Sequence, residues 1–152
     1  MANTQAMCTS FLGELMTATH NFTTGTGNTF KAALYLSSAT LNASTTVYSV
    51  TGEVTGTGYS AGGITVTNGT SPIATNSSIT AGVAYWTSSA SLTYTAVTLT
   101  TAFNCVLIYN SSSSNKAVSV HTFGDQTITA GTFTLTMPAN ATSTALLRLA
   151  TT

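Results

Sequence analysis

The chain has 152 residues, of which only 4% are charged, and its formal net charge is zero, whereas about a quarter of an ordinary soluble domain is charged. Three basic residues cannot supply the phosphate contacts that drive nucleic-acid binding. The apolar run at 103–109 is far shorter than the roughly 20 residues of a membrane helix, so we expect neither nucleic acid nor membrane as a partner. Because charge normally keeps copies of a protein apart, the composition predicts a surface that is covered in an assembly.

The length and the cysteines are typical of a single reduced domain. A chain of this size buries about 70% of its unfolded surface in one core, so folding requires neither a metal nor a disulfide. Cys8 and Cys105 lie in apolar local sequences without metal-like spacing, which favours a reduced, buried pair over a disulfide. The start MANTQAM has no basic residue and no continuous apolar stretch. It is typical of neither a secretory signal nor a transit peptide, and we expect folding in a cytosol.

The first segment has a helical pattern. Five apolar residues recur at i, i+3, i+4, i+7 and i+8 and form one stripe: Cys8, Phe11, Leu12, Leu15 and Met16. This stripe predicts a helix over residues 4–18 with Asn3 as its N-cap. Gly13 lowers the helix propensity, so either another backbone approaches it closely or the helix is weak on its own.

The helix is followed by residues that predict a flexible connection. His20 lies just beyond the helix, where its positive form would suit the C-terminal dipole. Glycine and small polar residues fill the segment at 21–28. The sequence therefore predicts an N-terminal helix and linker, or arm, at 1–25 and a β domain at 26–152.

From Phe30 onward, apolar residues alternate with Thr and Ser, which is the period of a half-buried strand. The alternating segments predict strands at 32–36, 64–67, 92–99, 117–123, 132–137 and 145–149. The denser apolar run at 103–109 predicts a central strand covered on both sides. Many short strands with frequent turns predict a mainly β chain, an antiparallel sandwich or barrel with one short N-terminal α-helix.

Residues that tolerate positive φ predict the turns between these strands. They are Gly62-Gly63, the serine run at 111–114, Gly124-Asp125 and Ala130-Gly131. The sequence ITAG occurs at 79–82 and again at 128–131, which suggests two similar hairpin entries. Pro138 indicates the end of a strand.

Few side chains could carry chemistry. The three carboxylates are single and scattered in the sequence: Glu14, Glu53 and Asp125. His121 lies among apolar strand residues, so we expect a hydrogen-bonded histidine on one sheet face. A metal site formed by His20 and His121 has no ligand spacing to support it. Ser60 in GYSAGG is followed by no helix pattern, so this stretch is interpreted as a bend. We predict no enzyme, no cofactor and no metal.

Aromatic side chains allow two interpretations. They could form a sugar-stacking face, because amphipathic rings suit carbohydrates, or they could pack in the core and between subunits. Packing is the favoured interpretation, because aromatic residues are common in strands. The residues concerned are Tyr48, Tyr59, Tyr85, Trp86 and Tyr94.

The stretch TGEVTGTGYSAGGITVT at 51–67 resembles one found in many virion proteins of tailed bacteriophages, with a threonine-rich lead, G-Y-x-A-G-G and an alternating strand. Further similar landmarks occur in the same order: MANTQAMCTSF before FKAALYL, AYWT at 84–87, AFNCVLIYN at 102–110, and TITAGTFTLTMP before ALLRL. The resemblance covers nearly the whole chain. It implies a small β-rich structural component of the virion, and it brings no catalytic residues.

The leading hypothesis is a capsid cement or decoration protein with a jelly-roll-like β-sandwich. It would bind the major capsid protein on the exterior of the virion, after assembly in the bacterial cytoplasm, and would form a trimer. Alternatives are a tail or neck component and a carbohydrate-binding or adhesin-like module with glycan contacts. The predicted subunit or partner contacts are Phe11, Leu12, Leu15, Met16, Tyr59, Tyr85, Trp86 and Tyr94.

Overall fold

A computed structural model describes residues 2–75 and 82–151. The chain is mainly β, with 44% strand and 6% helical residues in two antiparallel sheets and one short helix, which confirms the predicted class. The elements are β1 (Ala6–Met7), α1 (Thr9–Met16), β2 (Phe30–Leu36), β3 (Ile64–Thr65), β4 (Ile73–Thr75), β5 (Val83–Trp86), β6 (Leu92–Asn110), β7 (Lys116–Leu135) and β8 (Leu147–Ala150).

The larger sheet has five strands in the order β1-β7-β6-β2-β3, and the smaller sheet has three in the order β4-β5-β8. The apolar run at 103–109 lies in β6, between β2 and β7, and its last five residues are all buried. The predicted central strand is therefore confirmed. The serine run at 111–114 turns the chain from β6 into β7, also as predicted.

Two predicted turns are wrong. Gly124-Asp125 and Ala130-Gly131 both lie inside β7, which joins the strands predicted at 117–123 and 132–137 into one. Pairing with the similarly long β6 satisfies backbone hydrogen bonds along this stretch, so the ladder overrides the local turn preference. The turn residues instead bend the strand. Ala130 has a φ of 46° and lies among register shifts in the β6–β7 ladder.

The N-terminal segment also differs from the prediction. The helix covers 9–16 rather than 4–18, because Ala6 and Met7 pair with β7 as strand β1. Cys8, not Asn3, is the N-cap residue, and it makes no side-chain cap bond. The Asn3 amide instead donates to the Leu36 carbonyl and to the Asn104 side chain, and its oxygen accepts from the Leu41 amide.

Gly13 is not approached closely by another backbone. A Cβ placed on it would meet no described atom within 4 Å, so the glycine leaves the helix weak on its own. Helix α1 is therefore held by its tertiary contacts. Cys8 and Phe11 are buried in the core, and Cys8 and Cys105 are both free thiols, as predicted.

An aromatic cluster joins the helix, the larger sheet and the smaller sheet. The rings of Phe22 and Phe30 stack with centroids 4.2 Å apart, and Phe22 also contacts Phe11 and Trp86. The Trp86 indole N–H donates to the Asn68 side chain at 3.0 Å. This cluster forms part of a continuous core that extends through β2, β6 and β7.

The ITAG sequence at 128–131 lies within β7, whereas residues 79–81 of its counterpart lie outside the described residues. The turn at Gly62-Gly63 is confirmed, with φ values of 88° and 68°. Gly63 is needed for close approach as well, because a Cβ there would lie 1.7 Å from the Ala32 carbonyl oxygen. The last strand, β8, covers 147–150 and confirms the strand predicted near the C-terminus.

Candidate functional site

The predicted contact residues separate into buried and accessible groups. Phe11, Trp86 and Tyr94 are buried in the core of the chain itself. Tyr59 is half-buried and bonded within its own loop. Leu12 and Met16 are 44% and 86% exposed, and Leu15 and Tyr85 are half-buried at the surface. The role of the accessible residues as partner contacts remains a prediction.

The accessible members belong to one apolar surface, which we call the helix–sheet surface: Leu12, Leu15, Met16, Tyr85 and Leu149. A cavity of about 100 Å³ opens here between α1 and the smaller sheet, and Leu15, Tyr85 and Leu149 line it. Leu12 and Met16 lie on the adjoining stripe of α1. No charged side chain is among the described residues that line this cavity. Such a surface suits contact with another apolar surface.

A second feature is the buried carboxylate of Glu53. Its oxygens accept hydrogen bonds from the Tyr48 hydroxyl at 2.6 Å, the Tyr59 hydroxyl at 2.7 Å and the Gly62 amide at 2.8 Å. Burial, followed by the hydrogen bond to Glu53, raises the pKa of both tyrosines. Both hydroxyls therefore remain protonated donors. These four residues form the Glu53 cluster. Its hydrogen bonds connect both ends of the loop at 48–62 to Glu53.

The Glu53 cluster is also attached to the larger sheet. The Tyr59 hydroxyl accepts from the Leu34 amide at 3.0 Å, and the Tyr48 ring stacks on Tyr109 with centroids 4.6 Å apart. The Tyr109 hydroxyl in turn donates to the Gly62 carbonyl at 2.9 Å. GYSAGG is thus a bend, as interpreted from the sequence, and its role in the structure is to bring Gly62 to Glu53. The carboxylate is occupied by neutral donors and serves as an anchor.

A third polar group connects α1 to the β6–β7 turn. The Glu14 carboxylate pairs with Lys116 at the start of β7 and accepts from His20 Nε2 at 2.7 Å. The Asn110 amide donates to His20 Nδ1 at 3.1 Å, so the Nε2 proton is the one that faces Glu14. The predicted helix-capping role of His20 is wrong. Its buried ring bonds to side chains, because the chain folds back on α1 after residue 16.

His121 is hydrogen-bonded on one sheet face, as predicted. Its Nε2 lies 2.9 Å from the Ser119 hydroxyl, and burial lowers its pKa to about 4. A serine bonded to a histidine supplies two of the three members of a nucleophilic triad, whose third member is a carboxylate that orients the imidazole. All three carboxylates are engaged elsewhere: Glu14 with Lys116 and His20, Glu53 with tyrosines, and Asp125 with Ser37 and Asn104.

Within 2–75 and 82–151, no three His, Cys, Asp or Glu residues come together as a metal site, and the two histidines have separate partners. No helix in this part of the chain is long and apolar enough to cross a bilayer. Comparison with protein families, curated proteins and solved structures finds no match to the chain. The site is therefore interpreted from its own geometry.

The Glu53 cluster and the group formed by Glu14, Lys116 and His20 were not predicted from the sequence. In the sequence, Glu53 and Glu14 are single, scattered carboxylates, and spacing does not identify their partners. Lys116 lies 102 residues from Glu14. A local signal did exist for Glu53, since Tyr48, Tyr59 and Gly62 all lie within ten residues of it along the chain.

Proposed function

We propose that this chain is a non-enzymatic structural component of a tailed-phage virion, and specifically a cement or decoration protein that stabilises the capsid shell. The observation that carries the proposal is the helix–sheet surface, an accessible apolar surface with Met16 86% exposed on a chain that has only 4% charged residues. Such surfaces mark sites of protein–protein interaction. The sequence resemblance to virion proteins of tailed phages supports the same role.

The charged residues add little charge to the outer surface. Glu53 is buried, and Glu14 and Lys116 neutralise each other in an ion pair. What remains is a surface rich in Thr and Ser, which can form hydrogen bonds with little desolvation cost. On this proposal the two antiparallel sheets form a jelly-roll-like sandwich that sits between major capsid subunits on the shell exterior. A trimer would repeat the weak contacts by symmetry.

The carbohydrate-binding alternative required an exposed strip formed by Tyr59, Tyr85, Trp86 or Tyr94. These residues do not form such a strip, since Trp86 and Tyr94 are buried and Tyr59 donates to Glu53. The tail or neck alternative predicts the same kind of contact surface at a lower copy number. Stoichiometry therefore separates it from the cement role.

The first experiment is quantitative mass spectrometry of purified virions, which measures the copy number of this protein relative to the major capsid protein. We expect a ratio of about one third or higher, as for a trimer repeated over the shell. A ratio of a few per cent would overturn the cement role in favour of the tail or neck. Absence from the particle would overturn the virion role altogether.

The contact surface has its own prediction. Met16→Asp places a charge on the exposed apolar strip and is expected to weaken binding to particles at least tenfold, because the charge must be desolvated at the interface. Val50→Asp is the matched control, since Val50 is 67% exposed but lies on the loop before Glu53. Both variants should keep the wild-type Tm. Equal particle binding by the two variants would contradict the assignment of this surface, and binding is measured by co-sedimentation with undecorated particles.

A further inference from the structure

A second cavity lies between the larger sheet and the segment that follows β7, and it shares no lining residue with the cavity beside α1. Its volume is about 210 Å³. The lining is mainly apolar and includes Leu92, Val106, Ile108, Phe123, Leu135 and Leu146. An engineered apolar cavity of about 150 Å³ in another protein binds benzene, so this space is large enough for a single aromatic ring.

A groove adjoins this cavity, because the two share lining residues. A space of about 300 Å³ lies between β1 and β8 and is lined by Met7, Leu147 and Arg148. His121 and Leu146 line both the groove and the cavity. The imidazole therefore lies where the groove adjoins the apolar cavity.

His121 is the one ionisable side chain on the lining of the cavity in the described part of the chain. Its Nε2 is engaged with the Ser119 hydroxyl, and Nδ1 has no hydrogen-bond partner among residues 2–75 and 82–151. If Ser119 donates to Nε2, Nδ1 carries the proton; if Ser119 accepts, Nδ1 has a free lone pair. Burial keeps the imidazole neutral at pH 7 by lowering its pKa to about 4. A hydroxyl group can pair with either form of Nδ1, since it both donates and accepts.

We propose that this cavity binds a small apolar molecule that carries one hydroxyl group, of the size of a phenol, with the ring among Val106, Ile108 and Leu135 and the hydroxyl on His121. A mainly apolar lining with a few polar groups, here His121, Thr122 and Thr136, is the usual pattern of a small-molecule site. The site is separate from the helix–sheet surface and does not depend on the proposed virion role.

The test uses phenol and toluene as probes, because they have nearly the same size and only phenol carries a hydroxyl. Binding to the full chain is measured by calorimetry and by amide chemical-shift changes at pH 7. We expect both probes to shift residues of β6 and β7 around the cavity, and phenol to bind about tenfold more tightly, as one hydrogen bond allows.

Two variants locate the site. His121→Phe keeps an aromatic side chain, removes both ring nitrogens and should bring phenol down to the affinity of toluene. Leu146→Trp fills the mouth of the cavity and should abolish binding of both probes. Leu149→Trp is the matched control, because Leu149 lines the separate cavity beside α1 and this variant should bind as the wild type does. Circular dichroism verifies that each variant is folded, and Leu135→Phe replaces Leu146→Trp if the latter does not fold.

Absence of binding at millimolar concentrations of either probe would overturn the proposal. So would shifts confined to the cavity beside α1, or unchanged binding in the filled variant. Equal affinities of wild-type protein for phenol and toluene would overturn the role given to His121.

Discussion

Glu53 shows how a single residue can hold a long loop. It is the one buried residue among the six charged ones, and its burial is possible because three neutral donors replace its hydration. No cation lies within ion-pair distance of it among the described residues. The carboxylate therefore stabilises the fold by accepting hydrogen bonds rather than by forming an ion pair. Without it, Tyr48, Tyr59 and Gly62 would all lose a hydrogen-bond partner.

Replacing Glu53 tests this role. Glu53→Ala leaves the hydroxyls of two half-buried tyrosines and the Gly62 amide without their acceptor, and we expect a loss of about 3 kcal/mol in the free energy of unfolding. Glu53→Gln should cost less, because one oxygen remains and the Tyr48 hydroxyl can accept from the new amide. Urea unfolding at pH 7 measures both. Asp125→Ala is the control, since Asp125 is exposed and its loss should cost no more than about 0.5 kcal/mol; similar losses for the two alanine variants would contradict the anchoring role.

At the scale of elements, α1 is a short helix that depends on its surroundings. Eight residues are too few for an independent helix, and neither a side-chain N-cap bond nor a basic residue in the last turn supports it. Its stability comes from Phe11 in the aromatic cluster and from Glu14, which pairs with Lys116. The inner face of the helix therefore packs against the rest of the chain, and Leu12 and Met16 on its outer face stay accessible.

The weakness of α1 has a direct test. Gly13→Ala should raise the free energy of unfolding by about 1 kcal/mol, because alanine has the higher helix propensity and its Cβ meets no described atom within 4 Å. Gly63→Ala is the opposite case, since that backbone has a φ of 68° and its Cβ would lie 1.7 Å from the Ala32 oxygen. We expect it to be strongly destabilising. Thermal unfolding compares the two, and a lower Tm for Gly13→Ala would show that a glycine is required in the helix.

The long hairpin of β6 and β7 forms the centre of the larger sheet, and other elements pair with it or pack against it. β1 and β2 pair with its outer edges, and α1 packs against β7. Its strands are 19 and 20 residues long, which is well above the usual strand length of about six. Local irregularities at Ala96 and Ala130, with φ values of 51° and 46°, allow this length by bending the ladder.

For the molecule as a whole, two groups with lowered pKa values contribute to the change in stability between pH 7 and pH 3. Burial lowers the pKa of His121 from 6.5 to about 4. Burial by itself would raise the pKa of Glu14, but hydrogen bonds and charge from Lys116 and His20 outweigh it and hold the pKa below its ordinary value of 4.5. Both groups bind protons more readily in the unfolded chain, so stability falls as the pH falls.

The two groups act in different pH windows. The contribution of His121 is complete above pH 6.5 and is lost as the pH falls towards about 4, a loss on the order of 3 kcal/mol. The contribution of Glu14 is present above pH 4.5 and is lost below it, as the pH falls through the folded-state pKa. Urea midpoints between pH 7 and pH 3 should therefore fall in both windows. In His121→Phe the urea midpoint should no longer fall between pH 6.5 and about 4, and in Glu14→Gln it should no longer fall below pH 4.5. An unchanged slope of midpoint against pH in either variant would contradict the corresponding assignment.

Properties that depend on composition and local periodicity are predictable from the sequence. Alternation of apolar residues with Thr and Ser indicated the strands, since one face of a strand is buried and the other is not. The dense run at 103–109 indicated a central strand, and the apolar settings of Cys8 and Cys105 indicated buried, free thiols. These features are encoded by neighbours along the chain, so they could be recognised without coordinates.

Features that depend on partners far apart in the sequence are defined by the folded chain. Gly124-Asp125 and Ala130-Gly131 are good turn sequences, yet hydrogen bonding to β6 outweighs that preference and keeps them in a strand. Asn3 has the chemistry of an N-cap, but its amide bonds to backbone and side-chain groups near residues 36, 41 and 104. Phe11 and Trp86 were predicted as partner contacts, and their rings meet other rings of the same core. In each case, contacts with residues far away in the sequence replace the interaction that the local sequence favours, and they satisfy the polar groups that folding buries.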